Sequence, residues 1–293
     1  MTNLLSEQTI WIFLLASSTC AESRHIYDVA NGVRCLENRG ISPNNIYLII
    51  DGDKKTISEH LKIFTCTMYD IKSSNNLENI IKNSTHKNIV LFVAGHGNLE
   101  QGIIASPGIK PYNLVNIFKY NENISNVVIY LSQCYAGIFN YIDVTQKKPT
   151  IILVGATNLY PSISSKIKNN GWQANLFLYN LFGWIENPID IDGDGRYTVM
   201  DSYKYAGAIT NQYCSASKGI SLENTLGLLK NKKEVLTQIG SMVIAGNNLE
   251  VMSLMRELEA IEINLRKCQE IHYNSQEPWI LNAIPAQRLY FEN

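Results

Sequence analysis

The chain has 293 residues, a formal net charge of −1 and 45% hydrophobic residues. That length suits one large domain or a domain with a smaller appendage, and the near-neutral balance leaves no basic footprint for nucleic acid. The cysteines Cys20, Cys35, Cys66, Cys134, Cys214 and Cys268 are widely spaced, with no CxxC pair, which reads as free thiols in a reducing compartment.

In chain order, an apolar run at residues 10–15 comes first. Glu7 precedes it and no Lys or Arg does, so it reads as a buried strand over 11–16 rather than a secretory signal. No apolar run approaches the roughly 20 residues that cross a membrane. The expectation is a cytoplasmic protein with no membrane partner. A helix follows over 24–38, with "NRG" as its stop. A strand over 44–51, a polar irregular stretch and a short helix near 77–82 come next. "NIVLFVAGHG" (88–97) is a third strand, and 110–120 a short helix with Pro111 in its first turn. "NVVIYLSQ" and "PTIILVGATN" are the fourth and fifth strands, and 172–184 is a helix. The strands are continuous apolar runs, which marks strands covered on both faces. This predicts an α/β protein with a mostly parallel sheet between helix layers.

Beyond about residue 215 the chain changes character. "SASKGISLEN" is polar and reads as a loop, while 248–270 reads as a strong helix. Its Val251, Leu254, Leu258, Ile261, Leu265 and Cys268 share one stripe. The stripe either packs against the protein's own sheet or serves a regulatory partner or self-inhibition. The division expected is a core over 1–215 and a helical C-terminal extension over 216–293.

In a parallel sheet, chemistry collects at the carboxyl ends of the strands. His96 falls there in "VAGHG" and Cys134 in "LSQCYAG". Each alone could be a packing residue. Together, an imidazole beside a thiol can take its proton, and a free thiol, with a pKa near ~8.5, needs that help at neutral pH. The N–H groups of Gly97 and Cys134 are candidates to hold a developing oxyanion, and a side chain at 97 would crowd a substrate backbone. The "GHG" lacks the third glycine of a dinucleotide-binding loop.

A strand ending in His-Gly followed by a strand ending in x-x-Cys-x-x-Gly resembles the caspase-type cysteine peptidases. "SQCYAG" is similar to the metacaspase pattern "DxCxSG". "ESRHIYDVANGVRCLENRGISPNNIYLIIDG" resembles the legumain and GPI-transamidase branch, and the likeness runs from about Trp11 to Ala206. The resemblance implies the caspase-like fold, a peptide or protein substrate, no cofactor for catalysis, and a dyad of Cys134 as nucleophile and His96 as acid or base. It places Arg24, with His25 beside it, in the pocket for the residue before the cut; the alternative for Arg24 is a solvated helix start. Ser132, with the turn of Ala156, Thr157 and Asn158, completes that pocket. Relatives carry an acid at the position of Ser132, so the residue cut is expected to be Asp, Asn or small rather than basic. A transamidase would use the same acyl-enzyme with an amine acceptor, and a non-enzymatic adaptor on this fold would normally lack Cys or His.

"DIDGDGRYTVMD" fits a twelve-residue Ca2+ loop. Asp190, Asp192 and Asp194 occupy positions 1, 3 and 5, Gly195 the turn, Arg196 a carbonyl at 7 and Asp201 position 12. The other reading is a turn whose aspartates cap the next helix. A similar "DxDGDGxxT" insert is common in bacterial caspase-like proteins.

Overall fold

The computed structural model describes residues 1–145, 148–167, 171–273 and 276–292, without the side chains of 270–273. It contains two compact units. The first comprises 1–210 and 276–293, the second 211–275.

The first unit is built on a seven-stranded sheet. Its strands are β1 (Thr9–Ala16), β2 (Ile46–Ile50), β3 (Ile71–Lys72), β4 (Asn88–Gly95), β5 (Asn126–Leu131), β6 (Thr150–Gly155) and β7 (Trp279–Leu281). Across the sheet they run β7-β6-β5-β4-β1-β2-β3. All neighbours are parallel except β7, which lies antiparallel on β6. The expected parallel α/β sheet is therefore present.

Each central strand is buried along both faces, and alternate residues serve different helix layers. On β1, Trp11, Phe13 and Leu15 join one cluster, with α1 (Ser23–Asn38) and α5 (Leu176–Glu186). Ile10, Ile12 and Leu14 join the other, with α3 (Leu77–Lys82) and α4 (Pro111–Lys119). Phe92 of β4 packs on Phe13 and Phe182 with ring centroids 5.0 Å apart. Such buried aromatics each cost roughly 3–5 kcal/mol to truncate.

The "polar irregular stretch" holds helix α2 (Lys54–Leu61). Its N-cap Asp53 accepts the Thr56 N–H at 2.8 Å, and Ile57 and Leu61 face the core. Residues 173–175 are not helical as expected; they pair antiparallel with 164–166. Asn175 caps α5 by accepting the Leu178 N–H, and this sets the helix start.

The second unit corrects three expectations. "SASKGISLEN" is helical, inside α6 (Val199–Ile244), which is followed by α7 (Asn248–Tyr273). Its polar residues sit largely on solvated surface, and Ser221 Oγ donates to the Cys268 carbonyl at 2.9 Å. The 248–270 stripe is clustered on α6 rather than on the sheet, with Leu254, Leu258, Ile261 and Leu265 packed with Leu228, Val235 and Ile239. The extension also does not run to the end of the chain. Residues 276–292 rejoin the first unit, where β7 closes one sheet edge and Phe291 enters the core. No helix among the described residues is long and apolar enough to cross a membrane.

Candidate active site

Strand order reverses between β1 and β4. β1 continues into β2 on one side, while β4 continues into β5 on the other. At such a switch point the loops leaving the carboxyl ends diverge and leave a crevice. β4 ends at Gly95, whose φ of +100° carries the chain out of the sheet; without a Cβ it does so unstrained. His96 follows, and its side chain is 46% exposed.

His96 Nε2 lies 2.7 Å from Glu22 Oε1. Glu22 arrives from the other side of the switch point, on the loop after β1, as the N-cap residue of α1. Its Oε2 accepts from Arg24 Nε at 2.7 Å. The Arg24 guanidinium, and then the His96 imidazole, lower the Glu22 carboxyl to about 2. Glu22 therefore stays a carboxylate wherever an imidazole titrates. Sequence reasoning missed this residue.

Cys134 stands on the neighbouring loop. The last paired residues of β4 and β5 are Val93 and Leu131, so His96 and Cys134 each lie three residues farther along. Adjacent strands are about 4.8 Å apart, which brings these two loops out side by side. The contact is made at Gly97: a Cβ there would collide with the carbonyl oxygens of Cys134 and Gly102. The Ile104 N–H donates to the His96 carbonyl at 3.0 Å, so Gly97 and Ile103 form a non-hydrogen-bonded pair and the Gly97 N–H lies outside that ladder.

Cys134 is half-buried, and its Sγ receives the Ser162 N–H at 3.3 Å. Tyr135 then adopts φ 58°, a left-handed conformation rare for an aromatic residue. Such a residue costs about 1–3 kcal/mol and persists only where its surroundings over-determine it. Here the Tyr135 N–H donates to Tyr160 O at 2.9 Å and the Gly137 N–H to Asn158 O at 3.1 Å. Asn175 Nδ2 reaches both Ser132 O and Ser162 Oγ at 3.0 Å. The turn bearing the thiol is thus clamped by the 156–162 loop.

That clamp revises the expected pocket. Ser132 is 1% exposed and its hydroxyl donates to Val93 O at 2.7 Å, so it braces β5 against β4 instead of facing a ligand. Ala156 and Thr157 are buried too, and the Thr157 carbonyl accepts Trp279 Nε1 at 3.0 Å. Asn158 is half-buried and donates to Glu277 Oε2 at 3.2 Å. Their backbone supports Cys134. Arg24 is half-buried, with Nη1 3.5 Å from Ser164 Oγ on the 164–166 strand. His25 is 5% exposed and stands edge-on to His96, ring centroids 5.0 Å apart. Its Nδ1 faces Asp28 Oδ2 at 3.8 Å. Burial pushes the Asp28 carboxyl up, opposed by His25 and Trp172. Beside Gly97, the fully buried Gln133 amide finds no hydrogen-bond partner among the described residues.

The 190–201 loop has the expected turn chemistry. Asp190 accepts the Gly193 and Gly195 N–H groups, each at 2.7 Å, and Asp194 accepts that of Arg196 at 2.9 Å. One oxygen each from Asp190, Asp192 and Asp194 lies within 4.8 Å of the others, a set that suits a hard cation. Lys204 Nζ lies 2.8 Å from Asp192. Asp201 departs from its expected role. It is fully buried and accepts from the N–H groups of Ile191 and Thr198 and from the Thr198 hydroxyl. Its carboxylate closes the loop from inside instead of joining the cluster.

A scan against family models finds none that matches this chain, and comparison with curated proteins finds no match.

Proposed function

We propose that this protein is a caspase-like cysteine endopeptidase acting through Cys134 and His96. The observation that carries the proposal is the convergence at the switch point. A half-exposed imidazole, held at 2.7 Å by a carboxylate, leaves its strand next to the strand that presents a thiol on a strained, clamped turn. Perturbed or strained groups gathered in one crevice are the usual mark of a catalytic centre.

In this reading Glu22 accepts from His96 Nε2 and fixes the tautomer, which leaves Nδ1 to take the thiol proton. The Cys134 thiolate attacks the peptide carbonyl carbon. The N–H groups of Gly97 and Cys134 receive the oxyanion. The imidazolium returns its proton to the leaving amine, and water hydrolyses the thioester by the same base. Arg24 places a cation beside the dyad through its bond to Glu22. It favours an Asp or Asn side chain before the cut, although Glu22 already occupies its Nε. Cys20, Cys35, Cys66, Cys134 and Cys268 are free thiols, in keeping with a reducing compartment such as the cytoplasm. Asp190, Asp192 and Asp194 are proposed to hold Ca2+ with a carbonyl oxygen of the same loop.

A positional peptide library, assayed with the wild type and Cys134→Ala, with and without Ca2+, tests this. Cleavage lost only in the variant and favouring Asp or Asn supports it. Identical traces from the two proteins, or strong cleavage after Arg or Lys, count against it.

A further inference from the structure

The same crevice holds a second kind of chemistry. One ligand-type atom each from Glu22, His25 and His96 lies within 4.8 Å of the other two. Two imidazoles and one carboxylate form a three-ligand set that suits Zn2+, with a fourth position open to water or another donor. His25 supplies a separate observation. It is 5% exposed, its Nδ1 faces Asp28, and its Nε2 has no hydrogen-bond partner among the described residues. A buried ring nitrogen left unpaired is unfavourable, and such a group calls for a ligand. A carboxylate behind the far nitrogen is also how metal-ligating imidazoles are commonly oriented.

We propose that Glu22, His25 Nε2 and His96 bind one Zn2+ ion, and that the bound ion silences Cys134. Tetrahedral zinc with bonds near ~2.1 Å needs donors about 3.4 Å apart. Glu22 and His96, each about half exposed, can close that distance around the fixed His25. An ion on His96 Nε2 replaces the bond to Glu22. A neutral imidazole ligated there carries its proton on Nδ1, so it can no longer take one from the thiol. The silencing clause rests on the peptidase reading; the binding clause does not.

The test is calorimetric titration of the full chain with ZnCl2 in a Cys20→Ser, Cys66→Ser background, which removes the exposed thiols. One ion per chain is expected. Glu22→Gln and His25→Asn should each weaken it at least ten-fold, and Glu122→Gln, at an exposed carboxylate in neither cluster, should leave it unchanged. No binding, or binding indifferent to Glu22→Gln and His25→Asn, overturns the site. Circular dichroism checks the fold of the buried His25 variant, and half-exposed Glu22 keeps the test open if that variant misfolds. Iodoacetamide labelling of Cys134 should slow at least ten-fold with zinc bound; an unchanged rate overturns the silencing. Neither readout uses peptide cleavage. A chain that binds zinc but cuts nothing sinks only the peptidase reading, and an active chain that ignores zinc sinks only this one.

Discussion

The crevice between β1 and β4 and the acidic loop at 190–201 both gather ligand-type side chains, but they are held in opposite ways. The acidic loop is local. Asp190 and Asp194 are fixed by N–H groups two to five residues away, and the buried Asp201 braces the loop from within. The crevice is assembled from separate loops, with Glu22 and His96 74 residues apart in the chain. It stands on a buried imidazole whose Nε2 is unpaired. A loop satisfied by its own backbone can exist for shape alone. Side chains brought together across a topological switch, with a buried polar atom left over, require a reason beyond shape.

Breaking the crevice should produce the largest effects. Cys134→Ala or His96→Ala should lower peptide hydrolysis by roughly 10⁴-fold or more, since members of such a unit fail together, while the thermal midpoint of His96→Ala stays close to wild type. Gly97→Ala should cost about 10²–10³ in rate by displacing the oxyanion donors. It should also cost about 1–3 kcal/mol of stability, because its Cβ meets the Cys134 and Gly102 carbonyls; denaturant titration reads the second figure. Glu22→Gln should lower kcat about ten- to a hundred-fold with little change in KM, the signature of a residue that positions the base. On the other side of the comparison, Asp190→Asn should abolish any Ca2+ heat in calorimetry and leave hydrolysis without Ca2+ unaltered.

The smallest effect is one of pH. Glu22 sits near 2 in the folded chain, below its ordinary value of 4.5. A depressed carboxyl contributes stability that is present above about pH 4.5 and is lost as pH falls toward 2. Because the group is half exposed, solvent screens most of this. The midpoint difference between wild type and Glu22→Gln should be small and flat above pH 5, and should shrink below pH 4.

The sheet was legible in the sequence because its strands are buried on both faces and read as unbroken apolar runs, as 89–94 and 127–131 do. The catalytic candidates His96 and Cys134 were legible for the same reason: each ends such a run. Other features were not. β7 spans only Trp279–Leu281 and forms an antiparallel edge, too short for periodicity to register. The start of the second unit reads as a loop because "SASKGISLEN" is polar, yet a helix in a two-helix hairpin buries one stripe and can expose the rest. Glu22 and the clamping role of 156–162 depend on loops meeting in space, which no spacing rule encodes. The available hint was an acid just ahead of α1, at the end of the loop leaving β1. Ser132 shows the converse: its place beside the thiol suggested a pocket, but its side chain turns inward to Val93.

The most direct test of the central claim is labelling with a peptidyl acyloxymethyl ketone ending in Asp or Asn, followed by peptide mass mapping. The reagent needs both a seated side chain and an activated thiolate. The account predicts one adduct on Cys134, lost in His96→Ala. No adduct on Cys134, or labelling that follows exposure and so falls on Cys20 and Cys66, would contradict it.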